Sequence, residues 1–213
     1  MSDVEHRLHQ VYGATSSSEL SKTYDDWAAS YDEDMLQTGY AHPAIICGLI
    51  SRCVVDLAAP VLDAGVGTGN VGQLLHTLGY SNLHGLDMSE GMLAKARARK
   101  IYNSLHRGVL GEALDFNSGS FDAILSTGTF TTGHAPASAF AELARILRPG
   151  GHLVFTVGEV LWHEGGFSAA LEKLVAAGAL RQVWQSAPYH PMPYSKTESH
   201  FEARVHVYQR ISP

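Results

Sequence analysis

Cysteine, positive charge and long apolar runs are scarce in this sequence, and each shortage excludes a class of protein. The two cysteines among 213 residues, Cys47 and Cys53, are spaced to face different sides of a predicted helix, which fits neither a zinc site nor a disulfide framework. Lysine and arginine number 15 against 21 acidic residues, so the net charge of −6 offers no basic surface for a nucleic-acid backbone. No apolar run approaches the roughly 18 residues that span a bilayer. We therefore expect a soluble cytoplasmic protein that binds neither nucleic acid nor membranes.

The sequence does contain enough apolar material for one α/β domain. Hydrophobic residues make up 45% of the chain, which is sufficient for a substantial core. Residues 1–58 are predicted to form an N-terminal helical cap of the same domain, with breaks near 13–18 and 39–43. From residue 59 to 213, short apolar runs alternate with helical patterns, which is typical of βαβ units and a parallel sheet.

Seven strands and four core helices are predicted beyond the cap. The strands lie near 60–64, 82–86, 105–110, 121–126, 151–158, 181–187 and 203–210, and the helices near 69–79, 89–101, 135–147 and 165–178. The last strand alternates apolar and polar residues, which predicts an antiparallel strand that pairs with the sixth in a hairpin. The long connection before it, Pro188 to Glu202, is expected to form part of a substrate wall.

A glycine-rich turn follows the first predicted strand in the segment VLDAGVGTG at 61–69. The strand ends on an acid and three glycines follow it: Asp63, Gly65, Gly67 and Gly69. These glycines allow a tight turn against which a nucleotide can lie, but their spacing also fits the dinucleotide fingerprint of an NAD-dependent enzyme. The acid works against a pyrophosphate and suits a ligand with a cationic amine. S-adenosylmethionine (SAM) has that amine and no phosphate, so the turn favours methyl transfer.

The second predicted strand ends on another acid, Asp87. Its carboxylate is placed to accept hydrogen bonds from both hydroxyls of a ribose, which NAD and SAM share. Met88 follows it and is expected to pack its thioether against the adenine. This acid therefore predicts an adenosine without choosing between the two cofactors.

Together with the segment YDDWAASYD at 24–32, these motifs resemble those of the class I SAM-dependent methyltransferases, and within them the Williams–Beuren-region methyltransferase-like proteins. The general resemblance covers residues 60–158, and the closer one adds residues 20–43 and 127–147. It implies a Rossmann-like α/β fold with a seven-stranded sheet in the order 3-2-1-4-5-7-6, the last strand antiparallel, and a helical cap over the cofactor. It also implies SAM as cofactor and S-adenosylhomocysteine as product.

The resemblance extends to the ends of the third and fourth strands. The family usually reads the adenine edge with an acid and a small residue, and here Leu110 stands in place of the acid. Gly111 is expected to meet the ring through its backbone, and Glu112 either accepts from the adenine amine or is a solvated loop acid. Ser126 and Thr127 are expected to face the methionine part of SAM.

Three aromatic residues of the cap share one predicted helical face: Tyr24, Trp27 and Tyr31. Aromatic rings beside a sulfonium provide cation–π stabilisation on the order of 1 kcal/mol. All three are therefore candidate cofactor contacts. The alternative is that they only dock the cap, which we favour for Trp27 and not for Tyr31.

Histidine is a suitable base for an acceptor that must lose a proton. His134 follows the fourth strand, nearest the expected methyl group, and is the candidate catalytic residue. His163, Tyr189 and His190 lie in later predicted loops and are candidate substrate contacts. The histidines are scattered along the sequence, so no metal site is predicted.

The motifs predict a SAM-dependent methyltransferase that acts on an O, N or S nucleophile of a small molecule. The cap and the long final connection favour an enclosed pocket. No Asn/Asp-Pro-Pro-aromatic run and no Pro-Cys pair follows the fourth strand, which counts against methylation of a nucleic-acid base. The alternatives are a non-catalytic module that binds SAM or S-adenosylhomocysteine and, third, an NAD-dependent oxidoreductase.

Overall fold

A seven-stranded sheet organises the part of the chain that the computed structural model describes, residues 3–211. The strands are β1 Val61–Ala64, β2 Leu83–Asp87, β3 Ser104–Arg107, β4 Phe121–Phe130, β5 Leu147–Gly158, β6 Leu180–Gln185 and β7 Ala203–Arg210. Their order is β3-β2-β1-β4-β5-β7-β6, and β7 runs antiparallel to both β5 and β6 while the other neighbours are parallel. The expected order and the reversed last strand are both confirmed.

Helices cover the sheet and precede it. They are α1 Asp3–Tyr12, α2 Ser17–Trp27, α3 Tyr31–Gln37, α4 His42–Cys53, α5 Asn70–Thr77, α6 Glu90–Ala98, α7 Ala139–Ile146, α8 Glu159–Glu164 and α9 Phe167–Ala176. The first three, with the loops between them, form the cap as the structure has it. Between residues 3 and 211, no helix combines the length and the hydropathy that crossing a bilayer requires.

Both faces of the sheet are buried, as expected for strands in a parallel arrangement. On one face Phe130 and Phe155 pack with Phe140 of α7. On the other face Ile50 of α4 and Leu75 of α5 pack against the strands, and both are fully buried. Helix α4 therefore belongs to the core layer, so the cap that lies over the strand ends is shorter than the predicted segment 1–58.

The cap has a small core of its own. Val11 and Leu20 are buried there together with Trp27 and Met35. Met192 joins the same cluster from the long connection between β6 and β7. That connection, expected as a substrate wall, thus packs against the cap.

Three local features differ from the sequence predictions. Helix α7 begins at Ala139, not near 135, because Pro136 and the residues before it form an irregular loop. Helix α8 was not predicted, since six residues are too few to show a helical period. Strand β4 continues past residue 126 through a bulge between Ser126 and Phe130, where Gly128 has a φ of 67°. Bulges re-aim the side chains beside them, and this one lies at the carboxyl end of the sheet.

Candidate functional site

A cavity of about 480 Å³ lies at the carboxyl ends of β1, β2 and β4, beneath the cap. Open α/β sheets bind their ligands at this edge. The volume lies within the range of small-molecule sites, roughly 300–1,000 Å³. The predicted site residues that line it are Tyr24, Tyr31, Gly65, Gly67, Asp87, Met88, Leu110, Gly111, Glu112, Thr127 and His134.

The glycine turn presents bare backbone to this cavity. Gly65 and Gly67 line it with φ angles of 87° and 53°, a region that only glycine enters without strain. A Cβ on Gly65 would also collide with the side chain of Thr129. Gly69 has positive φ too, but it precedes α5 and packs beside Tyr102, so it supports the turn without lining the cavity.

Asp87 joins the end of β2 to the glycine turn. Its Oδ2 accepts from the Gly67 amide at 2.8 Å and its Oδ1 from the Ser89 amide at 2.9 Å. Burial raises the pKa of this carboxyl, and the amide donors oppose that rise. Each oxygen retains a further lone pair, so Asp87 can hold the turn and still accept from the hydroxyls of a ribose.

Asp63 lies below the turn and does not line the cavity. It is 4% exposed and accepts a hydrogen bond from the Tyr102 hydroxyl at 3.3 Å. Burial raises the pKa of this carboxyl well above its usual range. The acids on the cavity are Asp87 and Glu112, and neither lysine nor arginine contributes to the lining formed by the described residues. The expected preference for a cationic ligand over a pyrophosphate therefore rests on those two acids.

The part of the cavity at the end of β2 and the loop after β3 is apolar. Leu86, Met88, Met92 and Val109 line it together with Leu110, which is 7% exposed. The departure at Leu110 thus places a core side chain where the resemblance implies an acid. Glu112, two residues later, also lines the cavity, and its role as the acceptor for the adenine amine stays a prediction.

Ser126 and Thr127 point to different surroundings, as alternation along a strand requires. The Ser126 hydroxyl donates to the Ala64 carbonyl at 2.7 Å and is fully buried within the sheet, away from the cavity. Thr127 lines the cavity, and its Oγ1 is buried without a hydrogen-bond partner among the described residues. Buried polar atoms are nearly always paired, so this hydroxyl indicates a place for a ligand atom.

Tyr24 and His134 form a hydrogen-bonded pair on the cavity wall. The Tyr24 hydroxyl lies 2.7 Å from His134 Nε2, and His134 Nδ1 lies 2.8 Å from the Thr132 carbonyl oxygen. A carbonyl only accepts, so we assign the ring proton to Nδ1, which leaves Nε2 to accept from Tyr24. Burial lowers the pKa of His134 and raises that of Tyr24, so both are neutral near pH 7.

Trp27 and Tyr31 are in contact but face different surroundings. Their ring centroids are 4.8 Å apart, and Tyr31 lines the cavity. Trp27 is 1% exposed in the cap core, where its indole nitrogen donates to Asp34 at 2.7 Å. The position of Trp27 agrees with docking of the cap and does not bring its ring to the 480 Å³ cavity.

Two carboxylates that the sequence reasoning missed attach the cap to the core. Asp25 accepts from the Ser89 hydroxyl at 2.6 Å and from the Gly91 amide at 2.8 Å, at the start of α6. Asp32 accepts from the Thr68 hydroxyl and from Arg99 at 2.7 Å. Each follows a tyrosine that lines the cavity, so the repeated Tyr-Asp pair at 24–25 and 31–32 was the available signal.

The three candidate substrate contacts do not line the 480 Å³ cavity. His163 lies on the exposed side of α8, 3.9 Å from Glu159. The Tyr189 hydroxyl contacts His42 Nδ1 at the start of α4, and His190 Nδ1 lies 3.2 Å from the Phe201 carbonyl. Within the described ranges, no three histidine, cysteine or carboxylate side chains converge as metal ligands would.

Comparisons with known proteins indicate one family and one fold. Residues 62–155 match the methyltransferase-domain family. Methyltransferase-like protein 27 of Homo sapiens is 32% identical over 182 residues, which cover 83% of this chain and 74% of the human protein. A chain of the complex between the Haloferax volcanii Trm112 methyltransferase activator and a methyltransferase has a TM-score of 0.66 at 23% identity, covering 89% of this chain and 98% of that one. Geranyl diphosphate methyltransferase, solved with GPP and sinefungin, has a TM-score of 0.61 at 16% identity, covering 80% and 78%.

Proposed function

Since the chain belongs to the class I SAM-dependent methyltransferases, we propose that it transfers the methyl group of SAM to an O, N or S nucleophile of a small molecule. The observation that carries this proposal is the 480 Å³ cavity, which the cap covers. Asp87 lies at its β2 end and the Tyr24–His134 pair at its β4 end, so the cavity joins an adenosine site to a proton acceptor.

The residues present fit SAM. Asp87 provides acceptors for the ribose hydroxyls, and the Thr127 Oγ1 supplies an unpaired polar atom near the end of β4. The acidic lining suits a ligand with an ammonium and a sulfonium, whereas the pyrophosphate of NAD would meet no cation there. This electrostatic difference supports SAM over the dinucleotide alternative.

When bound, SAM supplies an electrophilic methyl group on a sulfonium. An acceptor with an exchangeable proton donates that proton to Tyr24 Oη while the Tyr24 proton passes to His134 Nε2. The resulting imidazolium still donates its Nδ1 proton in a hydrogen bond to the Thr132 carbonyl. Tyr24 is thus the group in contact with the acceptor, and His134 is the base that acts through it.

A small acceptor is supported by the cap residues over the cavity and by the charge of the chain. The cap residues Tyr24 and Tyr31 lie across the site and restrict the approach of a polymer. The net charge of −6 and a lining without lysine or arginine provide no counter-charge for a nucleic-acid backbone.

The test is a binding measurement followed by a screen. Calorimetry with SAM, S-adenosylhomocysteine and NAD should show binding of the first two only. A metabolite library is then screened with the full chain and SAM for release of S-adenosylhomocysteine. Binding of NAD without SAM would overturn the proposal, and tight SAM binding with no release from any acceptor would favour the non-catalytic module.

A further inference from the structure

A second cavity, of about 30 Å³, lies between the cap and the sheet beside the first. Tyr24, Tyr31 and Gly128 line both cavities, so the two cavities adjoin at these residues. One water needs roughly 10–15 Å³ of such space, so this cavity accommodates a compact functional group.

The lining of the second cavity is aromatic and uncharged. Four tyrosines contribute to it together with Trp27 and His42, and no aspartate, glutamate, lysine or arginine does so among the described residues. The four tyrosines are Tyr12, Tyr24, Tyr31 and Tyr40, and burial raises the pKa of each. Burial lowers the pKa of His42 to about 3, so this imidazole is also neutral near pH 7.

Hydroxyl groups provide the polar character of this cavity. No hydrogen bond within the described ranges engages the hydroxyls of Tyr12, Tyr31 or Tyr40, and none of the three is a buried atom without a partner. They therefore remain accessible to a ligand, and each can donate or accept. Together they can orient a neutral nucleophile without a charged partner.

A glycine lies where the two cavities adjoin. Gly128 lies in the bulge of β4 with a φ of 67°, and its amide donates to Thr156 Oγ1 at 2.8 Å. A Cβ at this position would collide with the Tyr40 hydroxyl. The absence of a side chain thus lets Tyr40 reach the carboxyl end of β4, next to Thr127.

We propose that the second cavity receives the reacting group of the methyl acceptor, and that this group is compact and uncharged: a hydroxyl, a thiol or a neutral amine. The proposal rests on the proposed function and narrows its substrate class. A carboxylate or phosphate placed there would lose its hydration without gaining a cation, and it would face the negative π-surfaces of the rings. Acceptors that are methylated on an anionic group are therefore excluded.

The probes are two molecules of similar size, 2-mercaptoethanol and propionate, whose candidate reacting groups are neutral and anionic, respectively. Their binding to the full chain saturated with S-adenosylhomocysteine is followed by ligand-observed NMR, which needs no turnover. We expect 2-mercaptoethanol to bind at least about tenfold more tightly than propionate, because only the carboxylate is desolvated without a partner. With SAM, only 2-mercaptoethanol should release S-adenosylhomocysteine.

Removal of the Tyr40 hydroxyl tests whether the acceptor binds in the second cavity. Tyr40→Phe should weaken 2-mercaptoethanol binding about fivefold and leave S-adenosylhomocysteine affinity unchanged, since one hydrogen bond is lost. Tyr194→Phe is the matched control, because that tyrosine is 77% exposed and lines neither cavity.

Three results would overturn the inference: equal binding of both probes, binding of neither, or no effect of Tyr40→Phe. Any of these with intact S-adenosylhomocysteine binding leaves the proposed function standing. Failure of the protein without substitutions to bind S-adenosylhomocysteine would instead refute the proposed function itself.

Discussion

The glycine turn and the cap border the same cavity, but they are held in place by different means. The turn is built locally, because Gly65 and Gly67 adopt positive φ angles and the Asp87 carboxylate accepts from the turn backbone. The cap is attached from a distance by two carboxylates, Asp25 and Asp32, which reach elements more than 30 residues away. The end of the cavity at β1 and β2 is thus built into the core, whereas the aromatic end exists only when the cap is docked.

The largest effect is expected at His134, where a substitution should lower turnover and leave cofactor affinity unchanged. His134→Ala should lower turnover by about 10²–10⁴-fold, since the proton of Tyr24 loses its acceptor. S-adenosylhomocysteine affinity, measured by calorimetry, should stay within about twofold because the turn does not depend on His134. Tyr24→Phe should reproduce the loss of turnover. Full activity in either variant would reduce the pair to a wall of the cavity.

The pH profile of turnover tests the same pair. Only neutral His134 can accept the proton, so activity is lost as pH falls through the pKa of this imidazole, by about tenfold per unit. Burial holds that pKa below its usual value, so the acid limb should have its midpoint below about 6.5. An identical acid limb in the residual activity of His134→Ala would assign the titration to another group.

The end of the cavity at β2 is tested by replacing Asp87, whose carboxylate accepts from the glycine turn. Asp87→Ala should weaken SAM binding by about 1–3 kcal/mol, since the ribose hydroxyls and the Gly67 amide lose their acceptor. Calorimetry provides the measurement, and thermal unfolding shows whether the core survives. A dissociation constant equal to that of the unaltered protein would remove Asp87 from the site.

The attachment of the cap should have a smaller effect. Asp32→Asn weakens the contacts with Thr68 and Arg99, so SAM affinity should fall about fivefold as Tyr31 loses its fixed position. Asp26→Asn is the matched control, since Asp26 forms an exposed ion pair with Lys22 and such pairs contribute little. Equal SAM affinities in the two variants would contradict a role for Asp32 in positioning the cap.

The smallest effect on SAM binding is expected at Trp27. Trp27→Phe removes the hydrogen bond to Asp34, which should lower the free energy of unfolding by about 1–3 kcal/mol. SAM affinity should change less than about twofold, because the ring does not line the 480 Å³ cavity. A larger loss of affinity with unchanged stability would make Trp27 a cofactor contact instead of a docking residue.

The sequence reveals the turn better than the cap, for a physical reason. Gly65, Gly67 and Asp87 are recognisable because their conformation and placement follow from neighbouring residues in β1 and β2. Whether a side chain reaches a ligand depends on strand alternation and on partners far along the chain. The sequence therefore predicts Asp63 and Ser126 as ligand contacts, but both bond within the protein. Asp63 accepts a hydrogen bond from the Tyr102 hydroxyl, and Ser126 donates one to the Ala64 carbonyl.

In the later loops, too, the sequence does not reveal which distant residues a side chain contacts. Tyr189 and His190 belong to a connection that packs on the cap, where Met192 is buried. No local pattern indicates that contact, because it joins segments about 150 residues apart in the sequence. The fold class, by contrast, follows from the regular alternation of strands and helices, which each segment shows by itself.

The burial of Met192 in the core of the cap has a consequence for the order in which this protein folds. The cap is synthesised before the connection between β6 and β7, yet the Ala41 amide donates to the Pro191 carbonyl and the Tyr194 amide donates to the Thr38 carbonyl. During translation the apolar faces of α1 and α2 therefore lack Met192 until the connection between β6 and β7 has left the ribosome. Contacts of such long sequence separation slow folding, so the second cavity is completed only after about 150 residues of intervening chain have been made.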